Sequence, residues 1–186
     1  LHGPLSFVKR PSVPLCLLLG GLSATAFEQL ARAQKAGLHW FPVRRFEKSR
    51  WVGLNRRELT GLQRRHRQGS AVALSSLASR QDLSAWLAQG RRKGYAAPTW
   101  ADRSLRDLAR QGLSLAGSLR ACLWFAAGGH TLASFLEVAG LNSLQVQGLL
   151  QAGVPLARAQ GPGGEAWVAS RPGGFGGPDE LLRLIG

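Results

Sequence analysis

The stretch "PLCLLLGGLSATAFEQ", Pro14 to Gln29, decides the fold, because it supports two incompatible readings. Lys9 and Arg10 precede an apolar run, and Ala24-Thr25-Ala26 has the small-x-small form of a leader-peptidase site; together these make a secretory signal. Alternatively, Leu15–Leu19 is a buried strand, Gly20-Gly21 a tight turn and Ala24 the start of a helix, which opens a nucleotide-binding α/β unit. The apolar core, Val13 to Leu19 with Pro14 inside it, is short for an export signal. Residues 24–36 continue as an amphipathic helix, with Phe27, Leu30, Ala31 and Gln34 at helical spacing. A discarded leader has no need of such a helix, so we read a core strand followed by a loop.

Working outward, Gly37 stops the helix, and "LHWFPV" (38–43) reads as a second strand, which completes a βαβ unit. "NRRELTGLQRRHRQG" (55–69) is a helix capped by Asn55, and "SAVALSS" (70–76) a third strand. Residues 80–100 read as a short helix that ends in a basic loop, and 103–118 as an amphipathic helix. "RACLWFAAGG" (120–129) is a strand closed by a glycine pair, "HTLASFLEVAG" the helix after it, and "LQVQGLL" and "EAWVAS" two short strands. "RPGGFGGPDELLRLIG" is a glycine-rich loop running into a short helix. The alternation predicts an α/β fold: a mostly parallel, Rossmann-like three-layer sheet with helices on both faces.

Composition sets bounds. The 186 residues are 45% hydrophobic, which suffices for one packed domain, and no apolar run reaches the roughly 18 residues of a membrane span. Cys16 and Cys122 sit in apolar runs, with no CxxC and no Cys/His ligand spacing. This argues against a zinc site and a disulfide framework, and fits a reducing compartment, the cytoplasm. The chain starts at Leu1 and contains no Met, so we expect a piece of a longer protein. The net charge of +14 points to polyanions, but 20 of the 24 basic residues are Arg, a bias that a GC-rich gene also produces.

Three loops share one design. In "GGLSATAFEQ", Gly20-Gly21 follow a strand, and Ser23 and Thr25 offer hydroxyls at a helix start. In "AAGGHTLASF", Gly128 and Gly129 precede a helix with Thr131 in its first turn and His130 beside any ligand. In "SRPGGFGGPDEL", Arg171 is a potential bidentate phosphate donor before Gly173, Gly174, Gly176 and Gly177, and Phe175 is a core anchor. There is no Walker A sequence and no GxGxxG after the first strand. Three glycine loops at the carboxyl edge of one parallel sheet are nevertheless where such sheets bind ligands.

In order and spacing these loops, together with "AGVPLA", resemble the nucleotide-binding, C-terminal half of four-carbon acid sugar kinases, over nearly the whole chain. The resemblance implies that residues 1–186 form a single nucleotide-binding domain of an ATP-dependent kinase with Mg²⁺. The acceptor would be an erythronate-, threonate- or 3-oxotetronate-type acid, held by an N-terminal domain absent from this chain. It implies nucleotide contacts by Ser23, Thr25, Gly128, Gly129, His130, Thr131, Arg171, Gly173, Gly174 and Gly176. Gly21 stands where the family has Ser, His130 where it has an acid, and Arg171 where it has Lys. No Asp-Asp pair is present, and no catalytic base is identified, so phosphorylation by this chain alone is not expected. A degenerate domain without activity is an open alternative, as is a homo-oligomer.

A competing reading rests on nine basic residues between Arg44 and Arg67, interleaved with Trp40, Phe41, Phe46 and Trp51. Basic plus aromatic is the composition of a nucleic-acid surface. A solvated, Arg-rich helix face with its aromatics packed on the sheet explains it better, since no binding-module motif accompanies the patch, and nucleic acid is the less favoured partner.

Overall fold

A computed structural model describes residues 6–21, 23–47, 50–173 and 176–185. Strand β1 (Leu15–Leu19) is buried along its whole length and lies inside the sheet, with a parallel strand on each side. Its side chains alternate between two cores. Leu15, Leu17 and Leu19 pack with Leu30 and Ala33 of α1 (Ala24–Lys35) and with Leu181 and Leu184 of α6 (Glu180–Ile185). Cys16 and Leu18 pack with Leu62 of α2 (Arg56–Arg67), Leu108 and Leu115 of α4 (Ala97–Ala116), and Phe135 of α5 (Gly129–Ala139). Each buried leucine contributes about 1.5–3 kcal/mol, so this run holds two helical layers onto one sheet.

The remaining strands are β2 (His39–Pro42), β3 (Arg44–Glu47), β4 (Arg50–Gly53), β5 (Val72–Ser75), β6 (Leu123–Ala127), β7 (Ser143–Gln151), β8 (Val154–Gly161) and β9 (Gly164–Arg171). Seven strands form one sheet in the order β2-β5-β1-β6-β9-β8-β7. The pairings from β2 to β9 are parallel, and β9-β8-β7 close the edge antiparallel. The three-layer, mostly parallel α/β architecture is therefore present, with an antiparallel extension.

Three local expectations are corrected. Residues 80–100 hold α3 (Arg80–Arg92) and the first turn of α4, not a basic loop. Pro98 lies in that first turn, where a missing N–H costs nothing. Trp100 stacks on Trp86 with ring centroids 4.5 Å apart and donates its indole N–H to the Trp86 carbonyl at 2.8 Å, which joins α3 to α4. Second, β3 and β4 form an unanticipated antiparallel hairpin. Third, a strand that the sequence reading lacked begins inside "AGVPLA": Gly153 turns at φ +74°, and Val154 opens β8.

Candidate functional site

The strand order creates a crevice. From β1 the chain crosses to β2 on one side of the sheet, whereas from β6 it proceeds to β9 on the other. Helices therefore diverge at the carboxyl ends of β1 and β6, the topological switch point where open α/β sheets bind ligands. A cavity of about 350 Å³ lies there. Gly20 and Gly21 after β1, Ser76 after β5, Gly128 to Thr131 after β6 and Gly173 after β9 line one side of it; Leu83, Ala101 and Leu105 of α3 and α4 form an apolar wall, with the Ser104 side chain beside them.

Close packing explains several of these residues. A Cβ on Gly20 would fall 2.3 Å from the Thr131 hydroxyl and 2.2 Å from Leu105 Cδ2. Thr131 is buried, and its hydroxyl donates to the Ala127 carbonyl at 2.9 Å, which locks the start of α5 to the end of β6. Gly128 turns the chain at φ +101°, a conformation glycine adopts without cost, and faces Gly173. The first helical bond of α5 runs from the Leu132 amide to the Gly128 carbonyl at 3.0 Å, so the preceding amides have no acceptor within the helix. They open at the cavity beside exposed His130. Cβ atoms on Gly21 and Gly129 would meet nothing within 4 Å. An anionic group could approach both backbones there.

The ten expected residues divide by location. Gly128, Gly129, His130, Thr131 and Gly173 line the cavity. Ser23 and Thr25 sit at the start of α1 and do not line it. Exposed Ser23 caps the helix, accepting from the Ala26 amide at 3.1 Å, and Thr25 is half-buried. Arg171 is buried and points to the opposite face of the sheet, where it donates to the Gln29 side-chain oxygen. Burial pushes its guanidinium pKa down, and Glu180 opposes that shift. Gln29, itself fully buried, donates onward to the Gly177 carbonyl at 2.8 Å. Gly176, at φ +90°, leaves room for this knot: a Cβ would sit 2.8 Å from Arg171 Nη1. Gly174, with Phe175, lies outside the described residues. The second and third loops also share a backbone bond, from the Gly128 amide to the Arg171 carbonyl at 2.9 Å.

Sequence reasoning read Gly20 only as part of a turn and gave no role to Ser76 or Gln29. Ser76 donates to the Gly20 carbonyl at 3.1 Å and fastens two strand ends. Its signal was the Ser pair ending a buried strand at the ligand-binding edge. Gln29 carried a weaker signal, a polar residue on the apolar stripe of α1.

The basic segment is dispersed. Arg44 bonds Asp107 and Ser104 and lies 4.5 Å over the Trp86 ring, so it is not presented to solvent as a free cation. Arg56, Arg57, Arg64, Arg65 and Arg67 are exposed on α2, and half-buried Trp40 donates to the Ser75 hydroxyl at 2.9 Å. Lys48 lies outside the described residues.

The sequence pattern of the nucleotide-binding C-terminal domain family matches residues 16–181, which spans the cavity's loops and the knot behind them. The chain belongs to this family. Solved structures share the fold of the domain. A protein of the DUF1537 family from Bordetella bronchiseptica, a domain-swapped dimer with bound citrate, is 22% identical with a TM-score of 0.63, covering 94% of this chain and 39% of that one. A DUF1537-family protein from Haemophilus influenzae is 14% identical, with a TM-score of 0.60 and coverages of 96% and 41%. A Salmonella typhimurium LT2 protein gives 18%, 0.61, 93% and 40%. The domain thus spans about two fifths of the length of these proteins. No curated protein matches it.

Among the described residues of the domain, no group of His, Cys, Asp and Glu could hold a metal, and no helix is long and apolar enough to cross a membrane. Cys16 and Cys122 are buried and unbridged, and burial pushes the Cys122 thiol far above its ordinary pKa.

Proposed function

We propose that the domain binds ATP in the switch-point cavity and serves as the nucleotide half of a kinase acting on a four-carbon acid sugar of the erythronate, threonate or 3-oxotetronate type. One observation carries this reading: three glycine-bearing turns and the open amides of α5 converge on a cavity with an apolar wall. The phosphates would lie against the amides from Gly129 to Thr131 and the open backbone at Gly21. The base would lie against Leu83, Ala101 and Leu105. Phosphoryl transfer is mostly positioning and charge neutralisation, which such a cradle can supply.

Mg²⁺ fits only in part. The cavity lining offers the hydroxyls of Ser76, Ser104, Thr131 and no carboxylate, so the ion would arrive on the phosphates and be held chiefly by them. Ser23, Thr25, Arg171 and Gly176 belong to the proposal as residues that shape the adjoining loops, and Gly174 as a nucleotide contact that the family resemblance implies. The acid-sugar site and the base for its hydroxyl would lie outside this chain, on an N-terminal domain, so catalysis would need that partner. A cytoplasmic location, where ATP is supplied, belongs to the same reading.

Thermal melting tests it. ATP or ADP with Mg²⁺ at a hundred times its dissociation constant should stabilise the domain by about 2.7 kcal/mol. Gly129→Leu, which points into open space, should leave the unliganded melting temperature unchanged and abolish the shift. A melting temperature unmoved by millimolar nucleotide would refute the proposal. Retention on single-stranded nucleic acid with steep salt dependence would favour the basic α2 surface instead.

A further inference from the structure

Strand β7 forms one edge of the sheet, and its first five residues, Ser143 to Gln147, are all exposed. Leu144 and Val146, 45% and 49% exposed, are two residues apart and so share a face. Among the described residues there are four exposed large hydrophobics, and three of them, Phe7, Leu144 and Val146, are at this edge. Among the described residues, the N-terminal segment covers the later part of β7. The Leu149 amide donates to the Ser6 carbonyl and the Val8 amide to the Leu149 carbonyl, each at 2.9 Å. Upstream of that contact, no described backbone group pairs with the outer side of Ser143–Gln147; the Gln145 carbonyl receives the Gln147 side chain at 3.1 Å. A bulge after Val146 ends the regular segment.

Edge strands in soluble proteins are protected by charge, proline or a covering element. This one has neither charge nor proline in residues 143–147, in a chain carrying 24 basic residues, and no covering element among the described residues. We propose that Ser143–Gln147 pairs antiparallel with the same segment of a second copy, about a two-fold axis at Gln145, which joins two sheets into one.

The segment is self-complementary in that register. Leu144 faces Val146 of the copy, Ser143 faces Gln147, and Gln145 faces its counterpart. Apolar residues meet apolar ones, and amides that can both donate and accept meet on the axis. Two-fold pairing also places any charge near the axis against its own sign, so a strand built for it must be neutral. The run from Leu141 to Ala157 contains no charged residue. The contact is apolar and short while each copy carries +14, so added salt should tighten the dimer.

Sedimentation velocity on the 186-residue chain, from low micromolar to several hundred micromolar, tests the pairing. A concentration-dependent dimer is expected, strengthened by salt. Replacing Leu144→Lys and Val146→Lys together should weaken it at least about tenfold without altering the circular dichroism. An equal mixture of this variant with one carrying Leu144→Glu and Val146→Glu should restore dimers, because each replaced pair then matches in charge. In the unaltered chain, amides of 143–147 should gain exchange protection as concentration rises. A monomer at every concentration would overturn the proposal and leave the edge to the chain's own first residues or to another protein. A dimer indifferent to both replacements would overturn it equally.

Discussion

Gly20 and Gly21 are neighbours in sequence and opposites in what a side chain would meet. Gly20→Ala forces a methyl against Thr131, whose hydroxyl is already committed to Ala127, so it should cost about 1–3 kcal/mol in denaturant unfolding. Gly21→Ser finds open space, and should change stability by less than about 0.5 kcal/mol. If nucleotide binds as proposed, that hydroxyl should also tighten it. His66 gives a prediction of another kind. It is 2% exposed, neither ring nitrogen has a hydrogen-bond partner among the described residues, and burial pushes its pKa below the ordinary value. The unfolded state therefore binds the proton more readily. Stability is full above the unfolded pKa of about 6.5 and falls as pH drops through it towards the lower folded value. His39, lowered by burial and by Arg65, adds the same sign. His66→Leu should flatten the dependence of unfolding free energy on pH between neutral and mildly acidic conditions. An unchanged slope would exclude His66 as its source.

Between elements, the knot of Gln29, Arg171 and Gly177 ties α1 to the loop before α6. Gln29→Leu removes one acceptor of the buried Arg171 guanidinium and a donor to the Gly177 carbonyl, at a cost of about 1–3 kcal/mol. Because α1 follows the first glycine turn, hydrogen exchange should rise at Gly176 and Gly177 before global unfolding does. In α2, Asn55 and Glu58 form a reciprocal capping box, and Asn55→Ala should cost about 1 kcal/mol. Elements with one dominant signal were readable in the sequence: Leu15–Leu19 and Leu123–Ala127 as uninterrupted apolar strands, α2 by its cap. Elements with mixed signals were not. Pro98 reads as a break but sits in the first turn of α4. Pro155 and Arg158 disguise β8, which lies near the sheet's edge, where proline and charge are tolerated. The site was read in the same uneven way. Glycines that line the cavity announce themselves, whereas the direction of Arg171 depends on strand parity. It shares a face with Ala169, which packs against α1 and α6, and this sends it away from the cavity.

For the molecule as a whole, charge and topology act together. Ten acidic residues face 24 basic ones, so self-repulsion outweighs attraction. Raising sodium chloride from low to physiological concentration should raise the unfolding midpoint, the reverse of a protein held by surface ion pairs. The sheet order has a consequence for synthesis. β1 is made first, yet it lies between β5 and β6, with Leu15 beside Leu123 and Cys16 beside Val72. As these residues leave the ribosome, the all-apolar β1 has no partner on one side until Leu123–Ala127 has also emerged. Non-local pairing of this kind slows folding and lengthens exposure to aggregation. A nascent chain arrested before Leu123 would therefore be a chaperone client, with β1 as the segment bound.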